Sequence, residues 1–354
     1  YTCMKKNNNS RRNFIKNSAI VGLGVASANK TFSIVKKSKS LENTIGHNGF
    51  TYKIDKSWSK QNINTHPVHH CHEMIMDKKG RLFMTTTHKK NNVLVYNKDG
   101  NILDGWSVGF NGAHGLTLSN EGGTEFLYIT DPDLHRVCKT DLNGKLILEI
   151  FYPKEIKDYS SQDDFKPTET AIAPNGDIYI ADGYGKDFII KYDQKGNYLG
   201  HFGGKGDGKN HFDCCHGITL DSRFNQNPTL LISSRTKNEF KRFTLSGKHI
   251  ETISLPGYWM CRPVIKGDNL YFAIINTYNW WNYDGMIAVL DKNNKVISLP
   301  GGGKPSYTNG VINKPVYDDR SFLNPHDVCV DDDENIYVPQ WNSGRTTPLK
   351  LIRV

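Results

Sequence analysis

An all-β chain closed into a six-bladed β-propeller is what this sequence predicts, on three observations. Hydrophobicity alternates with a period of two through most of the chain, and no segment carries a convincing helical period. A pair of strands joined by a turn recurs six times: HEMIMDKKGRLFMTTT (72–87), HGLTLSNEGGTEFLYITD (114–131), TETAIAPNGDIYIAD (168–182), HGITLDSRFNQNPTLLISS (216–234), RPVIKGDNLYFAI (262–274) and HDVCVDDDENIYVPQ (326–340). Most copies are followed by a hairpin with its own turn signal, as in LVYNKDGNIL, CKTDLNGKLIL, IKYDQKGNYLG, KRFTLSGKHIE and VLDKNNKVISL. Four-stranded units of about 40–50 residues repeated around a ring describe a propeller.

Residues 1–28 are expected to stand outside this fold. Ser10-Arg11-Arg12-Asn13-Phe14-Ile15-Lys16 has the pattern of a twin-arginine export signal; an apolar stretch, Ala19–Val25, and a small-residue cleavage site, Ala26-Ser27-Ala28, follow. Tyr1-Thr2-Cys3 before Met4 reads as translated upstream sequence. The stretch is short and glycine-rich for a membrane span, so a bacterial periplasmic or extracellular protein, handled by the twin-arginine machinery, is expected. An uncleaved signal acting as an anchor is the alternative. Because that route moves folded proteins, a metal could be loaded before export. Residues 29–48 are read as a linker and 49–354 as the propeller. Phe50–Asp55 supplies the fourth strand of a last unit that otherwise stops at Val354 with three, which leaves no open sheet edge. The polar insertion at 300–321 is expected as a loop over one face.

The chain has 45 basic and 36 acidic residues, a net charge of +9; without the first 28 residues this falls to +4. The remaining bases are scattered through turns, so a solvated surface is expected and nucleic acid is not. Apolar residues make up only 37%, but 17 Tyr, 16 Phe and 32 Gly suit short strands and tight turns. None of the seven cysteines forms a CxxC pair, which removes a zinc ribbon. Export permits disulfides, yet Cys71, Cys215 and Cys261, each just before a strand-opening residue, read first as small buried hydrophobes.

In a propeller the first strand of each blade lines the central channel. Aligning the six units places His72, His114, Thr168, His216, Arg262 and His326 at one equivalent position. Blades 2, 4 and 6 therefore all carry histidine, and His114, His216 and His326 form the trigonal set that a three-ligand zinc site with an open fourth position needs. His72 would be a fourth ligand or a supporting group. Any single channel histidine could instead simply bond water or a carbonyl. Asp327, directly after His326, is the only aspartate at that place; a hard cation such as calcium would take its carboxylate with the carbonyls of Leu116 and Met74. Alternatively Asp327 orients a histidine.

With those residues in hand, the sequence resembles the NHL-repeat six-bladed propellers, and among them the peptidyl-α-hydroxyglycine α-amidating lyases (peptidylamidoglycolate lyases). The resemblance covers roughly 66–354 and rests on HGL at 114–116, ADGYG at 181–185, CHGI at 215–218 with its preceding cysteine, and PHD at 325–327. It implies zinc on the three histidines and a structural calcium at the aspartate. It also implies Tyr184 as catalytic base, a role that a pKa depressed next to the metal would serve, and Arg235 in ISSRTKNEF as substrate ligand, its fork suited to a carboxylate. Read alone, Tyr184 could be a core tyrosine and Arg235 a surface arginine. Several positions depart from the family pattern. Thr85-Thr86-Thr87-His88 stands where a second substrate arginine is expected, Asn324 replaces a methionine, and Gly185 replaces a cysteine of a disulfide. No hydroxylating monooxygenase domain is joined to the chain.

Other motifs are weaker. GGKGDGKN (203–210) lacks the phosphate-loop spacing, and no nucleophile elbow occurs. The cluster Tyr278-Asn279-Trp280-Trp281-Asn282-Tyr283 could stack on a substrate or fill a space between blades. The expected activity is a monomeric, metal-dependent carbon–nitrogen lyase acting on a small-molecule or peptide carbinolamide. A non-catalytic propeller that binds carbohydrate, peptide or protein is the competing reading. A lactonase-like hydrolase is disfavoured by the histidine-rich ring.

Overall fold

The computed structural model describes residues 44–224, 227–277, 279–317 and 321–354. The export signal and most of the expected linker lie outside these residues. The fold is all-β, with a single three-residue 3-10 turn, Gln162–Asp164, among the described residues. No helix among them is long and apolar enough to cross a membrane.

Six antiparallel sheets form the blades. Blade 1 runs Cys71–Met76, Leu82–Thr86, Val93–Tyr96, Ile102–Trp106; blade 2 runs Leu116–Glu121, Thr124–Asp131, Arg136–Thr140, Leu146–Ile150. Blade 3 runs Glu169–Ile172, Ile178–Ala181, Phe188–Tyr192, Tyr198–Gly203; blade 4 runs Ile218–Asp221, Thr229–Ser234, Glu239–Phe243, His249–Ser254. Blade 5 runs Val264–Lys266, Asn269–Ile274, Met286–Leu290, Val296–Ser298. Blade 6 has Cys329–Val330, Ile336–Val338 and Leu349–Arg353, and Phe50–Asp55 then pairs antiparallel with Leu349–Arg353, Lys53 opposite Ile352. Thr44–His47, inside the stretch read as linker, adds a fifth strand with Ile45 opposite Tyr52. The Gly-rich turn at 48–49 folds the chain back on itself, and the Ser298 hydroxyl of blade 5 accepts from the His47 N–H at 2.8 Å. The insertion at 300–321 contains a two-residue hairpin, Tyr307–Thr308 with Val311–Ile312.

One turn design explains why strands this short hold register. At Asp77, Asn97, Asp141, Asp193 and Asp291 the side-chain oxygen accepts the N–H groups two and four residues on. The residue three on is glycine in four of the five, and Asn294 in the last, all with positive φ. Between the blades lie six apolar clusters, one per interface, so that each sheet is covered on both faces. The inner strands are thereby fixed around one axis, and their N-terminal ends meet there.

Candidate metal centre and active site

Four imidazoles meet where the inner strands begin. Ring centroids are 4.5 Å apart for His72–His114, 4.7 Å for His72–His326, 4.9 Å for His114–His326 and His114–His216, and 5.0 Å for His216–His326. All four side chains are buried. Burial pushes every one of their pKa values down, that of His114 to about 3, so the rings are neutral at neutral pH and keep lone pairs. His114 Nδ1 lies 2.9 Å from the Thr168 carbonyl and His326 Nδ1 lies 3.1 Å from the His72 carbonyl. A carbonyl can only accept, so in both rings Nδ1 carries the proton and Nε2 keeps the lone pair.

The trigonal set read in the sequence, His114, His216 and His326, converges in this ring, and His72 joins it. Ligand nitrogens of His72, His114 and His326 lie within 4.8 Å of one another and form the group able to hold a metal ion. His216, the expected third ligand, joins the ring through a different contact. The Tyr184 hydroxyl sits 3.2 Å from His114 Nε2 and 3.0 Å from His216 Nε2. The phenol has one proton, which goes to His114 Nε2, so His216 donates its own Nε2–H to the phenol oxygen. The Nδ1 atoms of His72 and His216 are buried without a hydrogen-bond partner. Such orphaned nitrogens in a dry ring are what a metal would satisfy, so the imidazole set fits a soft or borderline divalent cation.

Thr168 is at the ring only through its backbone carbonyl; its hydroxyl donates to the Ala181 and Cys215 carbonyls. Arg262 leaves the ring for a deeper layer, because its long side chain reaches the residues that follow the histidines. Its guanidinium donates to Asp327 at 2.6 and 3.1 Å, to the Leu116 carbonyl at 3.2 Å and to the Met74 carbonyl at 3.1 Å. Those are the three groups expected to hold calcium. The guanidinium already takes up the oxygens that ion would need, so the residues as they stand do not fit it. The expectation is corrected by the length of one side chain.

Sequence reading missed the rest of this layer. Glu73 and Glu169, fully buried, lie 3.5 and 3.7 Å from Arg262 Nε. The aligned column after the ring position reads Glu73, Gly115, Glu169, Gly217, Pro263, Asp327. Three acids stand in this one column, the two glutamates beside Asp327. The glycines are steric: a Cβ on Gly115 would lie 2.4 Å from the Thr168 carbonyl oxygen, and one on Gly217 would lie 2.5 Å from the Arg262 Cα. Burial, and then the facing Glu169, hold the Glu73 carboxyl well above its ordinary range against the pull of Arg262.

Above the ring, Arg235 is only 4% exposed. Its Nε donates to the Met260 carbonyl at 3.1 Å and its Nη2 lies 3.2 Å from Cys261 Sγ. Among the described residues no carboxylate pairs with it, which leaves a buried positive charge without a counter-ion beside Tyr184. Tyr184 is 42% exposed as a residue, yet its hydroxyl reaches the buried ring. Burial raises its pKa, and Arg235 opposes this without overcoming it. Cys214, with φ +60, accepts the N–H of His216 and of Arg235 on its carbonyl, and so fixes both groups to one strained residue. All six cysteines after Cys3 are free thiols.

The remaining expected positions have other uses. Thr85 donates to the His114 carbonyl and accepts from the Glu73 N–H. Asn324 is fully buried and donates to the Trp280 carbonyl. Two further histidines, His69 and His70, which are not among those positions, lie against each other with centroids 3.8 Å apart. Tyr278 lies outside the described residues.

A stretch of 158 residues, 44% of this chain and 41% of the relative, is 27% identical to a probable peptidyl-α-hydroxyglycine α-amidating lyase of Caenorhabditis elegans. The human NHL repeat-containing protein 3 is 30% identical over 137 residues, 37% of this chain and 40% of that protein. The chain is a six-bladed propeller homologous to the amidating lyases and the NHL-repeat proteins. Amidating lyase 2 of Drosophila melanogaster is 35% identical over 115 residues, 31% of this chain and 27% of the relative. The matches thus span about two fifths or less of these relatives. No family model matches the chain. Among solved structures, a streptogramin B lyase superposes with a TM-score of 0.57 at 16% identity, covering 85% of this chain and 97% of that one. The virginiamycin B lyase of Staphylococcus aureus gives 0.51 at 14% identity, covering 80% and 95%. At such identity these two show the fold alone.

Proposed function

We propose that this propeller is a metal-dependent carbon–nitrogen lyase that cleaves an α-hydroxyglycine-type carbinolamide to an amide and glyoxylate. The observation that carries the reading is the Tyr184 hydroxyl, held between two ring imidazoles and next to Arg235, a buried cation without a counter-ion. The relationship to amidating lyases supports it. The sequence's twin-arginine motif adds that the protein is exported, and a monomer is part of the same reading.

The reaction transfers the substrate's hydroxyl proton to nitrogen as the C–N bond breaks, the hydroxyl oxygen becoming the aldehyde oxygen. Arg235 has N–H groups beyond those given to Met260 and Cys261, and these would hold the substrate carboxylate. That contact also supplies the missing counter-ion and fixes the carbinol carbon over the ring. Tyr184, kept neutral by burial, suits a relay: it accepts the hydroxyl proton while passing its own toward the leaving nitrogen. His72, His114 and His326, with His216 adjacent, would hold the metal, and zinc matches neutral imidazole donors. Bound there, a divalent cation would polarise the substrate hydroxyl and lower the cost of its deprotonation.

The test is glyoxylate release from α-hydroxyhippurate by protein whose zinc has been quantified. Turnover that stops on chelation and returns with zinc supports the proposal. A zinc-loaded, folded protein with no turnover removes the substrate assignment. The human NHL-repeat relative, matched at similar identity, favours a second reading, a non-catalytic binding propeller. Metal-free protein that keeps its fold and carries no zinc as isolated would support that one.

A further inference from the structure

The cavity over the ring measures about 170 Å³ and is lined by polar Tyr184 and Arg235 and by apolar Trp259, Trp280, Trp341 and Ile275. The tryptophans arrive from three separate segments. Trp259 precedes the first strand of blade 5, Trp280 lies between its second and third strands, and Trp341 follows the second strand of blade 6. Trp280 meets Trp259 edge-on, with centroids 6.2 Å apart and planes at 83°, and meets Trp341 at 5.2 Å and 74°.

The backbone carries this wall rigidly. Asn324, two residues before His326, donates from its amide to the Trp280 carbonyl at 3.2 Å, and its own carbonyl accepts the Trp341 N–H at 2.9 Å. The Ile275 N–H donates to the Trp259 carbonyl at 3.1 Å. One buried residue therefore ties two of the three indoles to the strand that brings in a ring histidine. The exposed Trp281, 72% accessible, is not part of the wall.

Resting on the lyase reading above, we propose that Trp259, Trp280 and Trp341 form a subsite for a flat aromatic group on the substrate's acyl side. Three half-buried indoles set edge to face offer faces and edges to one more ring. Size limits the occupant, since cavities of about 150 Å³ take up benzene. The space beside the polar anchor is thus of the size of one aromatic ring. The substrate thus lies with its carboxylate on Arg235, its carbinol carbon over the imidazoles and its aromatic ring against the tryptophans.

Two arms test this. In the first, kcat/KM is compared for the benzoyl and acetyl derivatives of α-hydroxyglycine in wild type, Trp280→Leu, Trp341→Leu and Trp281→Leu. The wild type is expected to favour benzoyl by at least about tenfold. The two wall variants should collapse the ratio, and Trp281→Leu should preserve it. Equal kcat/KM for both acyl groups in wild type overturns the subsite and leaves the lyase intact. In the second arm, hippurate and N-acetylglycine, which lack the hydroxyl and cannot react, are titrated by tryptophan fluorescence. Tighter hippurate binding that Trp280→Leu abolishes supports the subsite even if no turnover occurs, which separates its fate from that of the reaction. Equal binding of the two ligands overturns it.

Discussion

Arg262→Ala tests the claim that a guanidinium serves as the central cation of this propeller. In the wild type it links blade 5 to Asp327 of blade 6 and to the carbonyls of Met74 in blade 1 and Leu116 in blade 2, with Glu169 of blade 3 at 3.7 Å. The side chain is 11% exposed and the three acids are 0% exposed, so water screens little of this. Removing one partner of a buried ion pair costs about 3–5 kcal/mol, because the other charge stays buried. At about 2–4 °C per kcal/mol for domains of roughly 150–250 residues, the variant should melt on the order of 10 °C below wild type. The vacated space would then present the Asp327 carboxylate and two carbonyls, a hard-cation ligand set. Calcium at about a hundred times its dissociation constant would restore about 2.7 kcal/mol. Thermal unfolding of both proteins in EGTA and in millimolar calcium, at matched ionic strength, reads this directly. A variant as stable as wild type, or a wild type that gains as much from calcium as the variant does, refutes the reasoning. Arg262→Lys should fall between them, because a point charge cannot serve all three acceptors in fixed directions.

The other predictions concern the ring and its surroundings. His114→Ala and His326→Ala should both lose bound zinc by metal analysis, and the nitrogen spacing predicts a larger loss for His72→Ala than for His216→Ala. Tyr184→Phe should lower kcat by about 10²–10⁴-fold at unchanged zinc content, whereas Arg235→Lys should act mainly on KM, since it keeps the charge but not the fork. Asp182 has its pKa pushed up by burial to about 7, despite accepting the Lys166 and Lys186 N–H groups and the Tyr159 hydroxyl. Between about pH 4 and 7 the folded chain holds that proton and the unfolded chain does not, so this group removes stability as pH rises, by up to about 1.4 kcal/mol per unit. Asp182→Asn should flatten that part of the melting profile; an identical slope in the variant would count against the assignment.

Repetition is why so much of this was legible. A propeller blade buries both faces of a short sheet against its neighbours, so the alternating pattern and the Asp-x-x-Gly turns must recur, and alignment of the units places inner-strand residues on one axis. That logic predicts which histidines approach one another. It does not predict how far a side chain travels along the axis. Arg262 aligns with the histidines by position, but its guanidinium reaches the level of Asp327, Leu116 and Met74. Nor does alignment carry rotamers, which set the spacing of the ligand nitrogens within the ring. Trp259, Trp280 and Trp341 sit in connections between strands, where the repeat imposes no register, so their meeting is visible only in three dimensions.

The two layers together orient whatever enters. Glu73, Glu169 and Asp327 place three carboxyl groups below the imidazoles against the single guanidinium of Arg262, and burial and the facing Glu169 push the Glu73 carboxyl upward. The floor of the ring therefore favours cations at the imidazoles. Arg235, on the other side of the same ring, has no counter-ion and favours an anion. A metal and a carboxylate are thus drawn to opposite ends of a gap that Tyr184 bridges through His114 and His216. A ligand with a carboxylate next to a hydroxyl satisfies both ends at once, whereas a neutral sugar or a simple amide leaves Arg235 unpaired. Arg235→Met makes this quantitative. Removing the uncompensated charge should leave the free protein as stable as wild type or more so, while weakening hippurate more than benzamide. If both ligands weaken equally, the arginine supports the cavity's shape and does not recognise the carboxylate.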